Sequence, residues 1–226
     1  MIFRQFCTAD KEISYLLADP VTRYAALMDA NVLAAEEYLN AIETMDLTLL
    51  YVIETHAHES HRSASALLRK QLDVQLVAHK AAQLDCADVA VGDEDSVFIG
   101  EELIRVIATP GHSCCSLSYY WRDRIFTGHT LLAGKSGLCQ REDSDAAEMF
   151  NSIQKRLLAL PDETLVYPGR VNAGRCLSSI AQERMGNVEV TENMTQENFI
   201  QHKQQEALNS NAWPQEYLTA NQRCNY

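Results

Sequence analysis

Apolar positions in the first third of the chain fall into short runs separated by turn residues. Ile13–Asp19 (ISYLLAD) and Tyr24–Ala30 (YAALMDA) flank the turn PVTR, the pattern of a β-hairpin. Asn31 is a helix-capping residue type. Val32, Leu33, Ala35, Tyr38, Leu39 and Ile42 then recur at roughly helical spacing, which predicts a helix to about Asp46. Leu47–Thr55 (LTLLYVIET) is a continuous apolar run of strand length, as expected of a strand covered on both faces. A helix near Ser63–Lys70 and a short strand at Val74–His79 follow.

The middle of the chain repeats the theme. Asp95–Gly100, Glu102–Pro110 and Ser116–Trp121 read as strands, with Gly111-His112 in a sharp turn between the last two. Arg124–Leu132 (RIFTGHTLL) is a further strand that runs into a histidine. A helix over Ser144–Leu160, a strand at Thr164–Gly169 and a helix near Cys176–Met185 come next. Strands followed by helices in both halves predict an α/β fold, two sheets between helical layers. From Thr191 onward Gln, Asn and Glu dominate, which predicts one helix over Gln196–Leu208 and a weakly ordered tail. The expected organisation is a domain over 1–190 and a polar extension over 191–226.

Composition removes several function classes. A formal net charge of −12 disfavours nucleic acid and anionic membranes as partners. No apolar run approaches the ~20 residues of a membrane helix, and MIFRQF lacks the apolar core of a signal peptide. The seven cysteines are odd in number and scattered, which fits the reducing cytoplasm better than a disulfide-stapled secreted domain.

The polar residues at the strand ends carry the chemistry. ETHAHESH (Glu54–His61) places His56, His58 and His61 directly after the long apolar run. His112 lies in TPGHS and His129 in TGHTLL, each beside a turn. Any one of these histidines alone is a common surface or core residue. His56, His58, His112 and His129 at successive strand ends predict imidazoles converging on one divalent metal ion, iron or zinc.

In order along the chain, these segments resemble the metallo-β-lactamase superfamily, within it the persulfide dioxygenase branch close to glyoxalase II. MIFRQF and SYLLADPVTRYAALMDA resemble the family's opening hairpin, and ETHAHESH its Thr-His-x-His-x-Asp-His segment. VGDEDSVFIGEELIRVIATPGHS resembles the strands before the second histidine, IFTGHTLL the Thr-Gly-Asp segment, and LLALPDETLVYPG the approach to the last histidine. The resemblance implies a metallo-β-lactamase-like αββα sandwich of two mixed sheets flanked by helices, with the site at one sheet edge. In two-metal members His56, His58 and His112 would hold the first metal. Ser60 and Arg170 stand where an aspartate and a histidine would join His61 at the second, and His129 stands for the bridging aspartate. Hydrolysis by a hydroxide held between two metals is therefore disfavoured.

The persulfide dioxygenase branch needs one iron, on residues matching His56, His112 and a carboxylate at 129. The resemblance thus implies an Fe(II) enzyme oxidising a thiol persulfide to sulfite and thiol, with an all-imidazole site. A single-zinc hydrolase of a thioester or related ester is one alternative, and a non-catalytic binding protein on the same fold is another. His61 is expected as an outer partner or proton shuttle, or else as a polar surface residue, and Arg170 either as a clamp on an anionic substrate or as a surface residue. Leu138 occupies the place of the family's glutathione-site arginine, for which Arg141 is the expected substitute, and GNVEV replaces its Asn-Pro-Arg segment. A small thiol or persulfide, glutathione-derived or not, is the expected partner, and the resemblance implies a homodimer. Glu59 is expected to be solvated and Ser60 to face a metal-bound water. Cys114 and Cys115 read either as persulfide carriers or as small core residues.

Overall fold

The structure, a computed structural model, describes residues 2–191, 193–210 and 215–224. Two six-stranded sheets stack face to face. The first runs β1 (Ile2–Cys7), β2 (Ile13–Ala18), β3 (Tyr24–Met28), β4 (Thr48–Ile53), β5 (Gln75–His79), β6 (Val89–Val91). Its pairs are antiparallel as far as β3 and parallel beyond it. The second runs β14 (Ser178–Ser179), β13 (Leu165–Pro168), β10 (Arg124–Gly128), β9 (Leu117–Trp121), β8 (Glu102–Ala108), β7 (Ser96–Ile99), with only β10 and β13 parallel. A small flap of β11 (Leu131–Leu132) and β12 (Lys135–Ser136) follows β10.

Strand alternation sorts the apolar side chains into three layers. Tyr15, Leu17, Ala26 and Met28 meet Ile104, Val106, Leu117 and Trp121 of the other sheet. The alternate residues Leu16, Ala18, Ala25 and Leu27 turn outward against α1 (Ala35–Thr44) and α2 (Ser65–Gln71), through Tyr38, Ala41 and Leu68. With both faces covered, β2 is buried at all six positions. On the far side Ile125 and Val166 are covered by α3 (Ala146–Asn151), its wider-turned continuation Ser152–Leu157, α4 (Ile180–Gly186) and α5 (Gln196–Asn209). The result is the expected αββα sandwich. Truncating Leu16 or Ile125 to Ala would cost about 2–5 kcal/mol.

Local signals account for several boundaries. Asn31 accepts from Leu33 N and opens the turn that leads into α1. The helix expected from Cys176 starts only at Ile180, because Ser178 and Ser179 pair with β13 and Ser179 then caps the helix.

The C-terminal region departs from the sequence reading. Lys203 of α5 is buried and bonds Glu189 at 2.9 Å and Glu206 at 2.8 Å. Where a weakly ordered tail was expected, a further helix α6 (Gln215–Gln222) returns to the first sheet's end. There Asp85 N donates to Gln222 O at 2.8 Å, and Cys86 and Cys224 form a disulfide. The scattered cysteines gave no sign of this disulfide: the bonded pair is 138 residues apart and meets only because α6 folds back. Among the described residues no helix is long and apolar enough to cross a membrane.

Candidate metal centre

The loops after β4, β8, β10 and β13 meet at one edge of the sandwich. They carry His56 to His61, His112, His129 and Arg170, respectively. Two glycines set the turns. Gly128 has φ +50°, and a Cβ there would lie 2.5 Å from Thr55 Oγ1, so β10 can lie against the His56 loop only without a side chain. Gly111, at φ +136°, would place a Cβ 2.3 Å from the Met149 backbone.

One ligand atom from each of His56, Glu59, His112 and His129 lies within 4.8 Å of the others, and all four residues are buried. Each is held by its remaining polar atom. Thr55 Oγ1 donates to Asp29 Oδ2 at 2.8 Å and so accepts from His56 Nδ1 at 2.9 Å, which leaves His56 Nε2 a lone pair and no partner. His112 Nδ1 donates to Leu138 O at 2.8 Å, leaving Nε2 unpartnered. His129 Nε2 donates to Glu12 Oε2 at 2.9 Å, which leaves the lone pair on Nδ1. Arg141 Nη1 donates to Glu59 Oε2 at 3.0 Å, while Glu59 Oε1 has no hydrogen-bond partner.

Buried polar atoms without partners cost about 1–3 kcal/mol each. Here they face one another, as they would around a cation. Burial, reinforced by the charge on His58, pushes the His56 pKa well below its ordinary value, so its imidazole is neutral, the form that can bind a metal. Imidazole nitrogens with a carboxylate oxygen fit a divalent transition metal such as iron or zinc.

His58, expected as a fourth ligand or an outer partner, lies beside this group with Asp29 and Glu54, and its Nδ1 has no hydrogen-bond partner. Its ring centroid lies 4.1 Å from that of His56 with the planes tilted by 57°, and Nε2 bonds Glu54 Oε2 at 2.9 Å and Asp29 Oδ1 at 3.1 Å. Burial pulls its pKa down, yet the two carboxylates override this and hold it well above the ordinary value, so it is an imidazolium. His61 is neutral: burial and the His58 charge bring its pKa down to about 3. Its Nδ1 contacts Ser60 Oγ at 3.2 Å, so Ser60 serves the histidine beside it.

An ion pair lies beside the cluster. Glu12 Oε1 accepts from Arg170 Nη1, and Glu12 Oε2 lies 3.7 Å from His61 Nδ1 as well as bonding His129. Burial alone would raise the Glu12 pKa, but His129, His61 and Arg170 bring it to about 2. Glu12 and Glu59 are the residues that sequence reasoning missed. The one signal for Glu12 is a charged residue placed directly before a fully buried strand.

Arg141 was expected to contact substrate. Instead its guanidinium is taken up by Glu59, by both Asp143 oxygens at 2.7 and 3.0 Å, and by Ala57 O. Cys115 is a buried core residue whose Sγ accepts from Ala57 N at 3.4 Å. Cys114 is exposed, and burial of its thiol together with Asp143 raises its pKa to about 11, so it is a poor nucleophile. A cavity of about 160 Å³ opens beside the centre, lined by His112, His129, Leu132, Lys135, Leu138 and Arg170 among others.

The profile of the metallo-beta-lactamase superfamily matches residues 19–170. Human mitochondrial persulfide dioxygenase ETHE1 is 30% identical over 181 residues, 79% of this chain and 71% of that protein. The hydroxyacylglutathione hydrolase of Bartonella quintana (strain Toulouse) is 31% identical over 173 residues, 75% of this chain and 66% of that protein. Among solved structures, ETHE1 from Myxococcus xanthus superposes with a TM-score of 0.95 at 36% identity, covering the whole of both chains. The chain therefore belongs to the metallo-β-lactamase superfamily, on the side that holds the persulfide dioxygenases and hydroxyacylglutathione hydrolases.

Proposed function

We propose that this chain is a single-metal enzyme that oxidises a thiol persulfide to sulfite and thiol, with ferrous iron held at His56, His112 and His129. The observation that carries the reading is the Glu12–Arg170 pair, since Arg170 stands where the resemblance puts a histidine of a second metal and is held there by Glu12. Hydrolysis between two metals loses its second ion there, whereas persulfide oxidation needs only one. The persulfide dioxygenase relatives at 30% and 36% identity support the same choice. Bound at this site, ferrous iron would supply open positions for a sulfur anion and for dioxygen.

The chain's own residues bind and orient the substrate. Arg170, about a quarter exposed, brings a fixed positive charge to the cavity and attracts the persulfide anion. Glu12 holds Arg170 and His129 in register through its two carboxylate oxygens. Leu132, Leu138 and Val171 give the cavity apolar walls that limit water at the reacting sulfur. The volume of about 160 Å³ favours the persulfide end of a substrate rather than a whole peptide thiol. His61 lies beside Glu12, with its Nδ1 3.7 Å from Glu12 Oε2. The balance is one persulfide, one dioxygen and one water to one thiol, one sulfite and two protons.

Anaerobically purified protein loaded with ferrous iron should consume oxygen with glutathione persulfide and release sulfite in a one-to-one ratio. No oxygen uptake with any thiol persulfide would end this reading. A single-zinc hydrolase is the second reading, favoured by the hydrolase relatives and by imidazole lone pairs that also suit zinc. Thioester hydrolysis by zinc-loaded protein would select it, and a non-catalytic binding role predicts neither activity.

A further inference from the structure

We propose that Glu59 is the carboxylate ligand of this metal centre, replacing from the His56 loop the carboxylate that position 129 lacks. The inference rests on the single-metal reading above and adds a ligand to it.

A glutamate next to a turn is ordinarily solvated, but Glu59 is only 4% exposed. Burying a carboxylate costs several kcal/mol unless charge and hydrogen bonds compensate. Arg141 compensates one oxygen, and Asp143 in turn holds Arg141, so the chain Asp143–Arg141–Glu59 fixes the carboxylate in place. The other oxygen, Oε1, is left without a hydrogen bond and points at His112 Nε2, 3.1 Å away. Glu59 Oε2 is also 3.9 Å from His56 Nε2. A hydrogen bond from a protonated His112 would be the plain alternative. However, the contact lacks hydrogen-bond geometry, so His112 Nε2 and Glu59 Oε1 both remain without a partner.

A cation between these atoms satisfies all of them together. With Glu59 the ligand set is three imidazoles and one carboxylate. A ferrous ion then carries the same net charge as in a two-histidine, one-carboxylate site. Arg141 is a positioning residue in this scheme, since it acts only through Glu59.

The test measures ferrous and zinc dissociation constants by competition with a chromophoric chelator. Three proteins are compared: wild type, Glu59→Gln, and Glu59→Gln combined with His129→Asp. Glu59→Gln should weaken binding by at least ~100-fold. The double variant, with a carboxylate restored at position 129, should recover to within about tenfold of wild type. Wild-type affinity in Glu59→Gln would overturn the proposal. A crystal of metal-loaded wild type tests the same point without a variant that must fold. It should place Glu59 Oε1 about 2.0–2.2 Å from the ion, and a Glu59 turned away from the ion overturns the proposal. Metal bound through Glu59 without persulfide oxidation supports the ligand assignment while removing the dioxygenase reading. Persulfide oxidation with an indifferent Glu59→Gln does the reverse.

Discussion

Asn221 of α6 ties the C-terminus to the metal loop. Its Nδ2 donates to His58 O at 2.9 Å and His61 O at 2.8 Å, and its Oδ1 accepts from Ser63 N at 2.9 Å. Those three backbone groups bracket the turn that presents Glu59. Asn221→Ala leaves all three without a protein partner. At a net 0.5–1.5 kcal/mol per hydrogen bond the cost is about 3 kcal/mol. For a chain of this length that lowers Tm by roughly 6–12 °C. The melting assay uses metal-free protein, because bound metal adds its own stabilisation. Metal release into excess chelator, measured in parallel, should be faster in the variant. Asn221→Asp keeps the acceptor for Ser63 N but sets a carboxylate against two carbonyl oxygens, so it should melt no higher than the Ala variant. A metal-free Asn221→Ala protein melting within about 1 °C of wild type would refute the reasoning.

Reducing Cys86–Cys224 should destabilise the chain, with about 5 kcal/mol as the chain-entropy ceiling for a loop spanning 138 residues; chemical melts with and without reductant check this. Folded Glu189 has its pKa at about 2 despite its burial, because Lys203 and Ser136 favour the carboxylate. The unfolded chain therefore takes up the proton first as pH falls. The contribution, at most about 3 kcal/mol, is complete above the ordinary carboxylate range and lost as pH drops toward about 2. A comparison of wild type with Glu189→Gln across that window should show the difference shrinking with acid. Arg170→Ala should lower kcat/KM for persulfide by roughly 10–100-fold, mainly through KM, with metal content unchanged. Unchanged kinetics would remove Arg170 from substrate binding.

The parts of the fold governed by local pattern were legible in the sequence. The β2–β3 hairpin, the Asn31 cap and the both-sides-buried β4 all follow from periodicity and turn chemistry. His56, His112 and His129 could be placed because each follows an apolar strand, and the sheet order then brings those strand ends together. What the sequence hid depends on long-range pairing. Glu12 meets His129 across 117 residues, and Arg141 meets Glu59 across 82. Nothing local marks either glutamate as buried. Whether His58 is a ligand or an outer partner was left open by the spacing, which gives its loop position but not its rotation; Asp29 and Glu54 hold its Nε2. The helix α6 was missed because it has no apolar stripe, and is held by Asn221 and a disulfide instead.

The central claim is one metal centre where the two-metal members of the superfamily hold two. The metal-to-chain ratio after anaerobic loading and removal of loose ions tests it most directly. The account predicts one tightly bound ion per chain; two ions per chain, or none, would contradict it.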